Sequence, residues 1–434
     1  MPKFALIDGN AFYCSVEKIF RPDLATAPVV VLSNNDGCIV SLTTEAKALG
    51  FKRGMPFFKI ERELSAAGVA VFSSNMPLYE RISADMMASI ASCVPAIEVY
   101  SIDECFADID GVWGLEPTAL GHKIRNTVLK DVSIPTCVGI AGTKTLAKLA
   151  NHLAKKFPVF RGVLDWDALG AERQRKALAW LDIDEVWGIG SAMSTRLKAL
   201  GIEKALQFVE MDPIAVRKAF GVVGARLQKE LSGIACLPFE PVTPRQQRVG
   251  RSRTFGRGVA SIDALLSAAA THIDEACAFL RQDGSAAARV TLYYRTDPFR
   301  TDLPQHRVLQ SVPLARPTQD TCLITGVVSE LIRKTFRPGV YYRKLGIELD
   351  ELTPYDPETD LQPESLFDEA GEIEARKKRL GLMRVMDSIN GRFGRATITA
   401  AAAHLDDSWQ MKQNFKSPFE RLADREAKQL TLAF

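Results

Sequence analysis

Pro238, Pro241 and Pro244 fall within seven residues near the middle of the 434-residue chain. No helix or central strand runs through such a stretch, because each proline fixes φ and removes a backbone donor. The chain therefore folds as at least two units joined by a tether at 238–244. Its length agrees, since roughly 100–200 residues per domain gives two to four units. Upstream, short apolar runs bounded by turn residues (Phe4–Ile7, Val29–Leu32, Ile97–Tyr100) alternate with helical patterns, an α/β or α+β texture. Asn34-Asn35-Asp36-Gly37 between Pro28–Ser33 and Cys38–Leu42 predicts a hairpin, followed by a helix at Thr44–Leu49. Strand patterns vanish from about 167 to 236, which predicts a small helical module. Beyond the tether, strand-like Arg289–Tyr294 and Tyr341–Leu349 flank helical Ile262–Arg281 and Gln319–Phe336, a second α/β unit. Residues 351–374 carry nine acidic side chains and no Lys or Arg, the composition of a mobile linker. Ala375–Asn390 and Ala400–Gln413 read as short helices.

The net charge of +3 conceals segregation. Residues 1–240 balance at 27 basic and 27 acidic, 241–350 hold 16 against 10, and 351–434 hold 12 against 15. Most of the basic residues in the middle segment are arginine, whose planar fork suits phosphate, so nucleic acid is a better partner than an acidic protein. Arginine enrichment in a GC-rich genome is the alternative. No run of about 18 apolar residues occurs and Met1–Phe4 has no signal-peptide pattern, so a cytoplasmic protein with no membrane contact is expected. The eight cysteines are widely spaced and read as reduced thiols.

Asp8 ends one apolar run (Leu6-Ile7-Asp8-Gly9-Asn10), and Asp103 and Glu104 end another (Tyr100-Ser101-Ile102-Asp103-Glu104). Hard carboxylates are what Mg²⁺ selects, and two ions about 4 Å apart need two or three of them. Adjacent residues of a strand face opposite ways, so Asp103 and Glu104 can share a site only at a hairpin tip. An ordinary surface turn is the alternative. Lys144, Lys148 and Lys155 share one stripe of a predicted helix, along which phosphates could lie, or which could simply be a solvated face. Val186-Trp187-Gly188-Ile189-Gly190 before helical Ser194–Leu200 fits a helix-hairpin-helix, in which Gly188 and Gly190 admit a phosphate to backbone N–H groups. A plain tight turn between packed helices fits as well.

Together these blocks resemble the Y-family DNA polymerases, and within them the UmuC subgroup. The resemblance covers essentially the whole chain and is carried by Asp8–Tyr13, Leu32–Cys38, Glu45–Gly50, Tyr100–Glu104, Thr143–His152 and Val186–Gly190. It implies a multidomain α/β and α+β right-hand polymerase: palm at 1–12 and 77–166, fingers at 13–76, helical thumb at 167–237 and little finger at 245–350. An acidic linker at 351–374 and a helical tail at 375–434 would follow. The implied activity is error-prone, template-directed nucleotidyl transfer in translesion synthesis, within the SOS response to DNA damage. Asp8, Asp103 and Glu104, with the Gly9 carbonyl, would hold two Mg²⁺ ions. Phe12, Tyr13, Thr44, Lys47 and Lys155 would bind the nucleotide, Tyr13 as the steric gate against a ribose 2′-hydroxyl, although it also reads as a core aromatic. The sequence departs from the wider family at Lys47, where many relatives have Arg, at Thr44, where many have Tyr, and at Asn10, which replaces a common Asp but fits the UmuC subgroup.

The implied partners are primer-template DNA, dNTP, a sliding clamp, a processed UmuD-like dimer and RecA. Gly188, Gly190, Arg248, Arg251, Arg253 and Arg257 would grip the DNA. Clamp-binding peptides are expected at Gln429, Leu430, Leu432 and Phe434, or at Gln362, Leu366 and Phe367. The short fingers leave little beyond Ile39–Ser41 to roof the templating base, consistent with a site that accepts damaged templates. A non-catalytic repair adaptor on the same fold is the second reading, against which stand the three retained carboxylates. A nucleotide cyclase would leave the hairpin glycines and the basic segment without purpose.

Overall fold

The computed structural model describes residues 3–112, 114–242, 245–356, 370–394 and 396–419. The described chain divides into two compact units, one from 3–33, 37–242 and 415–419, the other from 34–36 and 245–414. Its strands are Phe4–Gly9 (β1), Val29–Leu32 (β2), Ile39–Leu42 (β3), Ala70–Ser73 (β4), Ala96–Val99 (β5), Glu104–Asp108 (β6), Thr136–Ala141 (β7), Val163–Asp165 (β8), Arg248–Val259 (β9), Ser285–Thr296 (β10), Arg307–Thr318 (β11) and Tyr342–Pro354 (β12).

The first unit is built on the sheet β5-β6-β1-β7-β8, with β1 at its centre. Side chains of β1 alternate between two cores, as the pleat requires. Ala5 and Ile7 join helices Met76–Ala91 and Pro117–Val132 on one face, while Leu6 joins helix Lys144–Lys156 on the other. That last helix lies unusually close to β7. A Cβ at Gly139 would overlap the backbone oxygen of Ala147 and nitrogen of Asn151, so glycine is required by proximity alone. A smaller sheet, β3-β2-β4, holds the expected hairpin, with Asn35 and Asp36 at positive φ in its turn. Four helices follow β8: Ala171–Trp180, Ser191–Ala199, Ala205–Val209 and Pro213–Leu231.

The second unit is the antiparallel sheet β11-β10-β12-β9, with helices Ile262–Asp283 and Thr321–Thr335 buried against one face. Two of its strands were not expected. Arginines punctuate β9 and β11, but the buried positions Val249, Phe255, Val259, Val308 and Leu314 carry the sheet-facing pattern. Both described ends of the acidic linker expected over 351–374 are regular structure instead. Pairing of Pro354 with Ser285 extends β12 to residue 354, and a helix starts at Ala370 and runs to Phe393. Arg281 holds this helix: its guanidinium, almost fully buried, donates to both oxygens of Asp387 (2.6 and 2.9 Å), to the Gln319 carbonyl and to Thr321 Oγ1. The helix expected over 400–413 is instead one short 3₁₀ turn, Ala401–His404, followed by irregular chain. Trp409 explains the departure. It is buried against Phe255 and His272, and its indole N–H donates to Ser267 Oγ at 3.1 Å, a placement set by tertiary packing rather than helical periodicity. No disulfide forms, and no helix among the described residues is long and apolar enough to cross a membrane.

Candidate active site

Asp8, at the end of β1, is the direct cross-strand partner of Glu104, the first residue of β6. Asp103 precedes that strand in a turn closed by the N–H groups of Tyr100 and Ser101, which both donate to the Glu104 carbonyl. The chain thus leaves β geometry where two adjacent carboxylates must face one side. Two further bonds fix Asp103. Its carbonyl accepts from the Gly9 N–H at 2.8 Å, and its Oδ1 accepts from Ser101 Oγ at 2.6 Å. Asp8, Gly9, Asp103 and Glu104 all line a cleft of about 1090 Å³.

Helix Lys144–Lys156 brings its three stripe lysines to carboxylates. Lys155 Nζ lies 2.5 Å from Asp8 Oδ1, Lys148 Nζ lies 2.7 and 2.9 Å from the two Glu104 oxygens, and Lys144 Nζ binds both oxygens of Glu98 and the Pro238 carbonyl. Only Lys155 of the three also lines the large cleft, so the expected phosphate stripe reduces to its C-terminal end. Burial pushes the Asp8 carboxyl up to about 6 against the pull of Lys155, with Asp103 and Glu104 adding repulsion.

This electrostatic pattern bears on whether a metal fits. As the side chains stand, no three acidic, His or Cys side chains among the described residues meet closely enough to hold an ion. The donor set is nevertheless all hard oxygen, and the excess negative charge at the cleft is met by ammonium groups seated directly on Asp8 and Glu104. Those residues suit divalent cations by chemistry and by the charge they already attract.

The nucleotide candidates line the same cleft. Ala11 takes the left-handed conformation (φ 44°), an uncommon one for a residue with a Cβ, and turns β1 sharply into helix Phe12–Ile19. Phe12 is thereby almost wholly buried in the lining of the cleft, whereas Tyr13 is half-buried there and stacks on Tyr79 with centroids 4.5 Å apart. Thr44 and Lys47 lie on helix Thr44–Ala48, capped by Thr43 Oγ1 accepting from the Ala46 N–H. Lys52 and Arg53 add charge to the same wall.

Gly188, at φ 94°, allows the turn that leads to Gly190, the N-cap of helix Ser191–Ala199. Trp187 in this turn packs edge-on to Tyr100 and donates its indole N–H to the Tyr100 hydroxyl at 3.3 Å. In the second unit the four expected arginines divide. Arg251 and Arg253 lie over the rings of Phe279 and Trp409, on the helix-packed side of β9. Arg248 sits near Glu348 and Asp350, and Arg257 is exposed. Sequence reasoning missed a more coherent set. Arg307, Arg295 and Lys344 are consecutive cross-strand partners on one row of the sheet face opposite the helices. Like charges side by side repel, so such a row is suited to a polyanion. The signal was available as Arg295, Arg307 and Lys344 at non-core positions of alternating strands. Both expected clamp peptides, Gln362–Phe367 and Gln429–Phe434, lie outside the described residues.

Residues 7–152 match the sequence pattern of the impB/mucB/samB family, and 246–364 match that family's C-terminal domain. Residues 381–419 match a domain of unknown function, DUF4113. The chain is 38% identical to protein UmuC of Salmonella typhimurium over 96% of this chain and 97% of that one. It is 36% identical to SamB of the same organism over 99% and 100%, and 27% identical to DNA polymerase IV 1 of Mesorhizobium japonicum over 91% and 85%. Among solved structures it is similar to a Y-family DNA polymerase chimera built on Dbh, with a TM-score of 0.65, 25% identity and coverage of 80% of this chain and 98% of that one. It also resembles an insertion ternary complex of Dbh DNA polymerase, with a TM-score of 0.54, 24% identity and coverage of 82% and 100%.

Proposed function

This chain belongs to the impB/mucB/samB family of Y-family DNA polymerases, and from that premise we propose that it performs error-prone translesion synthesis in the SOS response, with Asp8, Asp103 and Glu104 as its catalytic carboxylates. The observation that carries the reading is the register of β1 with β6, which sets Asp8 opposite Glu104 and ties Gly9 to Asp103 at the cleft. Those three carboxylates, with the Gly9 carbonyl, would hold two Mg²⁺ ions, whose chemistry is to activate a primer 3′-hydroxyl and neutralise the triphosphate and its leaving group.

The chain's own side chains do the rest. Lys155 and Lys47, which line the same cleft, bind phosphate oxygens, and the Lys155 ammonium, seated on Asp8, exchanges that carboxylate for the phosphate. Tyr13 closes the sugar end of the cleft against a 2′-hydroxyl, with Phe12 and Thr44 in the same lining. Ser101 holds the Asp103 carboxylate in its rotamer.

Residues 1–12 and 77–166 act as palm, 13–76 as fingers, 167–237 as thumb and 245–350 as little finger. Backbone N–H groups around Gly188 and Gly190 take a DNA phosphate. Arg248 and Arg257 grip the duplex together with the Arg307–Arg295–Lys344 row, while Arg251 and Arg253 act mainly in packing. The similarity to UmuC also supports a cytoplasmic, nucleoid-associated enzyme. Its partners would be a sliding clamp, a processed UmuD-like dimer and RecA.

The test is primer extension on intact and lesion-bearing templates by the purified chain with those partners, comparing Asp8→Ala and Asp103→Ala. Loss of extension with DNA binding retained is expected. Equal extension by either variant refutes the catalytic assignment.

A further inference from the structure

The last described residues, 415–419, enter the first unit as a buried strap. Phe415 packs edge-on to Phe57 and exchanges hydrogen bonds with Ser73, while Phe419 stacks on Phe20 at 4.6 Å. Between them Ser417 is buried in a polar chain. Its Oγ accepts from Asn75 Nδ2 at 3.1 Å and donates to Glu17 Oε1 at 3.2 Å, and the Tyr79 hydroxyl donates to that same oxygen at 2.7 Å. Asn75 also donates to the Ser417 and Phe419 carbonyls, and it is the N-cap of the helix that carries Tyr79. Glu17 and Tyr79 are fully buried.

This polar chain ends at the nucleotide cleft. The Tyr79 ring lies parallel to Tyr13, 16° between planes, so an orientation fixed at the Tyr79 hydroxyl is passed to the ring at the sugar end. Nothing in the cleft chemistry requires a buried glutamate on the far side of Tyr79. Its acceptor oxygen is instead shared between the gate's support and the strap.

We propose that residues 415–419 are a positioning element for sugar selection, in which Ser417, through Glu17 and Tyr79, sets the ring of Tyr13 against the incoming nucleotide. This gives the end of the DUF4113 region a specific role in the polymerase site, and it rests on the reading of Tyr13 as the steric gate. Ser417 and Tyr79 touch no substrate; they act by holding another side chain. Because one buried hydroxyl bond at each step fixes the ring, loss of either is expected to relax discrimination moderately rather than abolish it.

The experiment is single-nucleotide insertion of dCTP and rCTP by the full chain with its partners, comparing Ser417→Ala, Ser417→Thr, Tyr79→Phe and Tyr13→Ala. Expected are a ratio of dCTP to rCTP kcat/KM lowered about 3- to 10-fold in Ser417→Ala and Tyr79→Phe, with dCTP kcat nearly unchanged, and recovery in Ser417→Thr. Parallel loss of both activities with an unchanged ratio marks a purely structural strap and overturns the inference. Should Ser417→Ala fail to fold, Tyr79→Phe keeps the ring and its packing and decides alone. An altered ratio in Tyr13→Ala with none in the other variants overturns the strap's role and leaves the gate standing; an unaltered ratio in Tyr13→Ala overturns both.

Discussion

Replacing Glu17 by glutamine changes how the first unit responds to pH. Glu17 Oε1 accepts from Tyr79 and Ser417, but Oε2 is buried with no hydrogen-bond partner among the described residues. Burial therefore dominates over the two hydrogen bonds and pushes the carboxyl from the ordinary 4.5 up to about 7. A carboxyl with a raised folded-state value binds its proton more tightly in the folded chain than in the unfolded one. Its contribution to stability is then fully present below about pH 4.5 and is lost as pH rises through 7. At 1.36 kcal/mol per pH unit the whole span is worth roughly 3 kcal/mol, of which roughly 2 kcal/mol falls between pH 5.5 and 7.5. Glutamine cannot ionise, so the variant has no such slope, although its amide costs a pH-independent amount. Hydrogen exchange of helix Phe12–Ile19, corrected for the intrinsic dependence on pH, is the assay. Relative to Glu17→Gln, the native chain should lose about 20- to 30-fold in protection from pH 5.5 to 7.5. Parallel curves, or native protection that rises with pH, refute a neutralised buried carboxyl.

Lys155→Ala should raise the dNTP KM about tenfold with a smaller change in kcat, since it removes a charge-assisted phosphate contact; a fall in kcat alone would contradict the assignment. Arg281→Ala leaves Asp387 and the Gln319 carbonyl without their donor and should destabilise the second unit by about 3 kcal/mol, read as earlier proteolysis of helix Ala370–Phe393. Arg295→Ala should lower the slope of log affinity against log salt for primer-template DNA by about 1, uniformly across sequences. An unchanged slope would remove Arg295 from the DNA-contacting face.

The site was legible in sequence where chemistry and local geometry coincide. Asp8 ends an apolar run, and Asp103 with Glu104 sits between two runs, so convergence at a hairpin tip was one of two readings, an ordinary surface turn being the other. Lys148 and Lys155 were legible as a stripe but not as partners of Glu104 and Asp8, because helix periodicity fixes a face and not what the face meets. Strands β9 and β11 were hidden by their arginines, which read as a charge cluster while Val249, Phe255, Val308 and Leu314 marked the pleat. Glu17 left no motif at all. Its only signal was a glutamate between Val16 and Ile19 on a helix whose other buried residues are apolar, and its partners Tyr79 and Ser417 are 62 and 400 residues away. Trp409 shows the converse, a residue inside a helical pattern withdrawn from it by a pocket no local rule foresees.

The glycine at 139 governs how far the neighbouring lysines extend. By offering only a hydrogen atom to the helix above it, it works as a shim of zero thickness, and any larger residue would lift Lys148 and Lys155 off their carboxylates together. The spacing between carboxylate and ammonium in this enzyme is thus set from underneath, by an atom count at a position that carries no charge and does not line the cleft.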